Sequence, residues 1–299
     1  MRGSELLEKL SGVFVPISTP FAEDESVDLV SMRVNLERYA ATKIRGYLAL
    51  GSNGENKSLT EEEKLEVLQT IVEHKGVSQV VMAGATYEAQ RDTERFLKQA
   101  AGLGADLGVI LPPSYFRDQM TDDVLYRYYA TVADTSPLPV VLYNAPKFCG
   151  VALSPKLVGR LAQHENIVGI KDSASSGIES FLQCADDGFL VMAGSISFLF
   201  PAMMAGAVGG TVSLANSFPE PALELYALGR ARDGEKGPAF QEWASRVNKA
   251  ISGIYGVAGV KAAMDLAGLK GGIPRRPLLP LGEEERKSLG AFLSAEGLL

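Results

Sequence analysis

Short apolar runs recur along the chain at residues 13–17, 47–50, 80–83, 107–111, 140–143, 167–170, 190–193 and 211–214. Each is rich in Val, Ile, Leu or Ala and is bounded by turn residues, the signature of a strand buried on both faces. Between them the chain carries helix start signals, such as Thr60 with Glu63 three residues on as a capping box, and Ser154 before Pro155 as cap and first-turn proline. The pattern predicts eight strands alternating with helices. Alternation of this kind calls for a parallel sheet, and eight doubly buried strands call for closure into a (β/α)8 TIM barrel. An open, doubly wound sheet would place a glycine-rich turn directly after the first strand, where this chain has Ser18, Thr19 and Pro20.

The strand rhythm stops at about residue 230. Residues 236–254, 260–267 and 283–293 read as additional C-terminal helices. The expected organisation is a barrel over residues 1–230 and a helical extension over 231–299, packed on the barrel as a packing or assembly surface.

Composition sharpens this picture. The chain has 299 residues, 46% of them hydrophobic, enough for one large core. Its 29 basic and 36 acidic residues give a net charge of -7 with no basic stripe, so nucleic acid is not an expected partner. No apolar stretch approaches the roughly 20 residues that span a bilayer. The first dozen residues mix Arg2, Glu5, Glu8 and Lys9 with leucines, unlike a secretory signal, and a cytoplasmic protein is expected. Cys149 and Cys184 match neither a disulfide framework nor a metal knuckle and read as free thiols.

In a barrel of this kind the chemistry comes from loops that follow the strands. His74 and His164 fall at helix ends before strands, on the opposite face, which removes the usual general bases and metal ligands. Carboxylates near the productive strand ends are limited to Glu55 and Asp172, too few for a hard-metal site of several oxygen ligands. Lys171 ends the apolar run Ile167, Val168, Gly169, Ile170. An ammonium is costly to bury and tends to give up its proton, leaving a nucleophile for a carbonyl carbon and an electron sink once the Schiff base forms. A lysine paired with a buried carboxylate, Asp172 or Glu55, is the alternative.

Tyr143 ends the preceding strand and should share the barrel mouth with Lys171, where a phenol can relay protons; capping the barrel through a backbone hydrogen bond is its alternative role. Residues 51–55, Gly-Ser-Asn-Gly-Glu, follow the second strand and offer successive backbone N–H groups beside a hydroxyl and an amide, a turn able to cradle a carboxylate or simply a polar turn.

With residues 51–55, the Tyr-Asn-Ala-Pro of Tyr143 to Pro146 and the Gly-Ile-Lys-Asp of Gly169 to Asp172, the chain resembles the dihydrodipicolinate synthase and N-acetylneuraminate lyase family over nearly its whole length. The resemblance implies a barrel with C-terminal helices, a homotetramer built as a dimer of dimers, and action on pyruvate without metal or cofactor. It makes Lys171 the Schiff-base lysine and Tyr143 the proton-relaying tyrosine, with Ser52 and Asn53 holding the pyruvate carboxylate. Tyr115 matches the second tyrosine of the relay, which reaches into the neighbouring subunit's site, and Gly194 and Thr211 match pocket-lining positions.

The departures bear on substrate. The synthases of the family carry Thr-Thr at Ser52 and Asn53, and at Phe148 an arginine that binds the carboxylate of aspartate semialdehyde. Within the family the chain looks most like the 4-hydroxy-2-oxoglutarate aldolase branch. The expected reaction is cleavage of a 4-hydroxy-2-oxo acid, 4-hydroxy-2-oxoglutarate, to pyruvate and glyoxylate. Four rivals stand beside it: synthase-type condensation of pyruvate with an aldehyde, cleavage of a 2-keto-3-deoxy sugar acid, a phosphosugar enzyme built on Gly194, Gly209 and Gly210, and a 2-oxo acid sensor without turnover.

Overall fold

The computed structural model describes residues 4–174, 177–184 and 188–299. Arg2, Ser175 and the side chain of Cys184 fall outside the described residues. Eight parallel strands, β1 (Gly12–Val15), β2 (Gly46–Ala49), β3 (Val80–Ala85), β4 (Leu107–Ile110), β5 (Val140–Asn144), β6 (Ile167–Asp172), β7 (Leu190–Ala193) and β8 (Gly209–Thr211), close into a barrel in chain order. Alternation along each strand divides the core in two. Phe14, Leu48, Met82, Val109, Val141 and Met192 fill the barrel, and Leu6 and Leu10 of the N-terminal helix Ser4–Leu10 join this cluster. Val13, Val15, Tyr47, Ala83, Leu142 and Ile170 point outward into the layer beneath the helices. The expected capping box at Thr60 and Glu63 and the cap at Ser154 both form.

The eighth strand lies earlier than its apolar pattern suggests. It runs through Gly209 and Gly210, while residues 213–216 form a short 3-10 turn. Packing explains the shift: a Cβ at Gly209 would lie 2.1 Å from the carbonyl oxygen of Gly12, so the seam between β1 and β8 closes only where a side chain is missing.

The C-terminal helices do more than cover a flank. The helix Gly237–Asn248 passes through a π turn at Lys249–Gly253 into the helix Ile254–Leu266, which breaks at Gly256 (φ 58°, ψ -138°). From the first of these, Gln241 Nε2 donates to Ile196 O at 2.8 Å and Gln241 Oε1 accepts from Phe200 N, while Asn248 Nδ2 donates to Ser197 Oγ at 3.2 Å. These bonds pin the turn that follows β7 at the productive end of the barrel. Among the described residues no helix is long and apolar enough to cross a membrane.

Candidate active site

A β-bulge aims the central lysine. Val140 pairs with Ile167, but Val141 pairs with Gly169, so Val168 is passed over and the register of β6 advances by one residue. Since a one-residue slip exchanges the two faces of a strand, the bulge turns Lys171 into the barrel and puts it opposite Tyr143. Both side chains are buried, and Lys171 Nζ lies 3.7 Å from the centroid of the Tyr143 ring. Lys171 Nζ donates to Ser173 Oγ at 2.9 Å.

The carboxylate partners that would make Lys171 a structural lysine are engaged elsewhere. Glu55 Oε1 lies 2.6 Å from Lys261 Nζ. Asp172 Oδ1 accepts from Asn144 Nδ2 at 2.7 Å and from the Ala174 amide at 3.1 Å. Among the described residues no carboxylate is within ion-pair distance of Lys171. Burial alone would raise the Tyr143 phenol. The charge of Lys171 and hydrogen bonds with Lys171, Ser52 and Ser173 outweigh that effect and hold the phenol below its ordinary 10.0. Burial wins at Asp172, whose carboxyl is raised above 3.8 despite the bonds from Ala174 and Asn144.

The turn after β2 brings its hydroxyl to the same place. Ser52, Asn53 and Gly54 form one turn of 3-10 helix, flanked by Leu50 (φ 56°) and Glu55 (φ 53°), two non-glycine residues in the left-handed region. Asn53 Nδ2 donates to Ser213 Oγ at 2.7 Å, and Gly54 O accepts from Thr19 Oγ1 at 2.8 Å. The turn is thus held to the loops after β1 and β8. At the end of β7, the Gly194 amide donates to Asp172 O at 2.6 Å, and a Cβ at Gly194 would lie 2.0 Å from Ser173 Oγ. Thr211 Oγ1, Ser18 Oγ and Asp172 Oδ2 are buried with no hydrogen-bond partner among the described residues.

A buried lysine packed on a phenol at the mouth of a closed (β/α)8 barrel accords with comparison to known proteins. The Dihydrodipicolinate synthetase family matches residues 9–296. The chain belongs to this family. Family members are pyruvate-dependent lyases and aldolases, and the chain is accordingly a carbon–carbon lyase of the aldolase type. It is 33% identical over 296 residues to an L-threo-3-deoxy-hexylosonate aldolase from Hypocrea jecorina, with 93% of this chain and 92% of that protein covered. It is 31% identical over 289 residues to a probable mitochondrial 4-hydroxy-2-oxoglutarate aldolase from Emericella nidulans, with the same coverage of each. Among solved structures, a prophage protein of the dihydrodipicolinic acid synthase family from E. coli K12, in complex with pyruvate, superposes with a TM-score of 0.90 at 27% identity, covering 97% of this chain and 99% of that one.

Of the residues singled out in the sequence, Lys171, Tyr143, Ser52 and Gly194 converge at this end of the barrel, with Asn53 in the turn beside Ser52 and Thr211 at the end of β8. Two expected residues stand apart in the single chain. Tyr115 is 81% exposed, edge-on to Phe116 with ring centroids 5.0 Å apart, and its amide donates to Glu88 Oε2. Phe148, on the short helix Pro146–Cys149, is 62% exposed. Cys149 is buried and free, its thiol in contact with Ala145 O and Val151 O. His74 and His164 contact Thr70 O and Asp134 Oδ1. Among the described residues, no group of three or more His, Cys, Asp or Glu side chains is placed to hold a metal ion.

Two residues at this end of the barrel were missed by sequence reasoning. Ser173, which receives the Lys171 hydrogen bond, gave no signal beyond standing two positions after the lysine. Lys261 did: it is the lone charge in the run Gly256 to Met264, the same signal that singled out Lys171.

Proposed function

We propose that the chain is a class I aldolase that cleaves 4-hydroxy-2-oxoglutarate to pyruvate and glyoxylate through a Schiff base on Lys171. The observation that carries this reading is Lys171 itself: buried, turned inward by a bulge, free of carboxylates and packed on the ring of a tyrosine whose phenol is held below its ordinary value. Such a phenol can both give and take a proton.

In the proposed reaction the neutral amine of Lys171 attacks C2 of the substrate. One proton from the amine and one from Tyr143 leave with the C2 oxygen as water, and an iminium remains beside the Tyr143 phenolate. The C3–C4 bond then breaks, its electron pair moves into the iminium to give an enamine, and the C4 hydroxyl proton passes to the Tyr143 phenolate. Glyoxylate departs, Tyr143 gives its proton to C3 of the enamine, and water adds to the iminium and returns a proton to the Tyr143 phenolate as pyruvate leaves and Lys171 is restored. No metal or cofactor is required. Ser52 extends the relay from Tyr143, and the amides of Ser52 and Asn53 receive the substrate carboxylate. Gly194 and Thr211 line the pocket. The exposure of Tyr115 supports its use in a neighbouring copy, within a cytoplasmic homotetramer built as a dimer of dimers.

The 33% identity to L-threo-3-deoxy-hexylosonate aldolase favours a second reading, a 2-keto-3-deoxy sugar acid as substrate. Pyruvate release should be measured from 4-hydroxy-2-oxoglutarate, 2-keto-3-deoxygluconate and N-acetylneuraminate, with native protein and Lys171→Ala in parallel. Fast release from the first compound alone, abolished in the variant, is the expected result. Release from the second moves the assignment to a sugar acid. Borohydride adducts with pyruvate but no cleavage of any compound point to synthase-type condensation, and failure to form one adduct per chain at Lys171 removes the Schiff base altogether.

A further inference from the structure

Lys261 lies on the helix Ile254–Leu266, outside the barrel in sequence, yet its side chain is only 1% exposed and its partner Glu55 only 2%. Nζ sits 2.6 Å from Glu55 Oε1 as an ion pair and donates to Thr19 O at 2.8 Å and Ile273 O at 2.6 Å. Glu55 Oε2 accepts from the Arg275 amide at 2.9 Å. One ammonium therefore ties together the loop after β1, the turn after β2 and the segment that follows the C-terminal helix. Thr19 reinforces the link, since its hydroxyl bonds Gly54 O.

Stability alone does not account for this pair. Two buried charges are often replaced by apolar side chains of similar volume at no loss, whereas removing one partner strands the other. Burial pushes the Lys261 ammonium down to about 8, with Glu55 opposing it, which marks the desolvation the pair carries. The location is informative. Glu55 ends the turn Ser52–Gly54 in the left-handed region, and a non-glycine residue stays in that region only where its surroundings over-determine it. Here the surroundings are Lys261 and the Arg275 amide, gripping both oxygens of the Glu55 carboxylate.

We infer that the Lys261–Glu55 ion pair is a positioning device, through which the C-terminal helix fixes the turn Ser52–Gly54 in the shape that receives the carboxylate of the 2-oxo acid. The inference rests on the reading of that turn as the carboxylate site. Lys261 and Glu55 act through Ser52 and Asn53, so their loss weakens substrate binding more than it slows chemistry at Lys171.

The test uses the full chain in four forms: native, Lys261→Met, Glu55→Gln and the double variant, in which neither charge is left stranded. Borohydride trapping of pyruvate on Lys171 is followed against pyruvate concentration, with thermal unfolding alongside. The double variant should fold, and its half-saturating pyruvate concentration should rise about tenfold, the scale set by misplacing a binding group by a fraction of an ångström. Its limiting trapping rate should stay within about twofold of native. A folded double variant with unchanged half-saturation, whatever its melting temperature, overturns the inference, as does a fall confined to the limiting rate. Loss of fold in all three variants would make the pair a folding element and also overturn it. A native chain that forms no adduct would sink the Schiff-base reading first, whereas native trapping with indifferent variants sinks the positioning role alone.

Discussion

Tyr143 stands opposite Lys171 because Val141 pairs with Gly169 and not with Val168. Without that step the partner of Tyr143 would be Ile170, and Lys171 would face the helix layer among outward-pointing apolar side chains. The next register pair, Asn144 and Asp172, is joined through side chains at 2.7 Å, so the strands are locked together immediately beyond the reacting pair. Placement of this kind matters for catalysis, because positioned acid–base groups act only within hydrogen-bond reach of the proton they move.

Replacing Tyr143 by Phe removes the hydroxyl and keeps the ring beneath Lys171. Turnover is expected to fall by about 10² to 10⁴, the usual contribution of a positioned acid–base group. Borohydride trapping of pyruvate should persist at a reduced rate. The phenol is held below 10.0 in the folded chain, so the native pH–rate profile should bend on its alkaline side below pH 10.0 and the Tyr143→Phe profile should lack that bend. An unchanged bend in the variant would assign it to another group and remove Tyr143 from the relay.

Asp172 gives a stability prediction whose sign follows from burial. Its folded carboxyl is raised above 3.8, so between 3.8 and the raised value the folded chain binds more protons than the unfolded one. Stability from this group is therefore complete at low pH and falls as pH rises through that window. Asp172→Asn keeps an oxygen to accept from Asn144 and Ala174 while removing the charge. Its melting temperature at pH 7 is expected to equal or exceed that of the native chain, with the difference vanishing near pH 4. A loss at pH 7 worth more than about 2 kcal/mol, the scale of a stranded buried polar group, would show that the ionised carboxylate is needed.

The barrel was legible because strands buried on both faces leave continuous apolar runs, and the eighth strand was displaced in the reading because its first residues are Gly209 and Gly210, which carry no apolar signal. Lys171 was legible for the complementary reason, a charge where burial makes charge costly. The bulge was not, since nothing in Ile167, Val168, Gly169 says which residue goes unpaired; only Gly169, where a Cβ would lie 2.4 Å from Leu190 O, hints at the crowding there. In the sequence the C-terminal helices read only as a packing or assembly surface, because their contacts to the mouth run through single side chains, Gln241, Asn248 and Lys261, and pairing over such sequence distances leaves no periodicity. Tyr115 stands apart for another reason: the role expected for it needs a second copy of the chain.

Gly194 offers the sharpest test of how tightly the mouth is packed around Lys171. Its missing side chain lets the end of β7 approach Ser173, and a Cβ there would lie 2.0 Å from Ser173 Oγ, 2.6 Å from Asp172 O and 2.8 Å from Ser173 Cα. Rotation of the serine could relieve the first of these contacts, but the other two are to backbone and require the strand end to move. Overpacking of this kind typically costs about 1 to 3 kcal/mol. Movement of Ser173 would also withdraw the oxygen that accepts from Lys171 Nζ at 2.9 Å. Gly194→Ala is therefore expected to fold with a lowered melting temperature, and to lose about 10²-fold in the rate of borohydride trapping at saturating pyruvate, as misplacement by about an ångström does elsewhere. Ser173→Ala, which removes the hydroxyl without moving the backbone, should lose less. If Gly194→Ala trapped pyruvate at the native rate, the close approach of β7 would be a packing feature only, and Ser173 would have no part in orienting the amine.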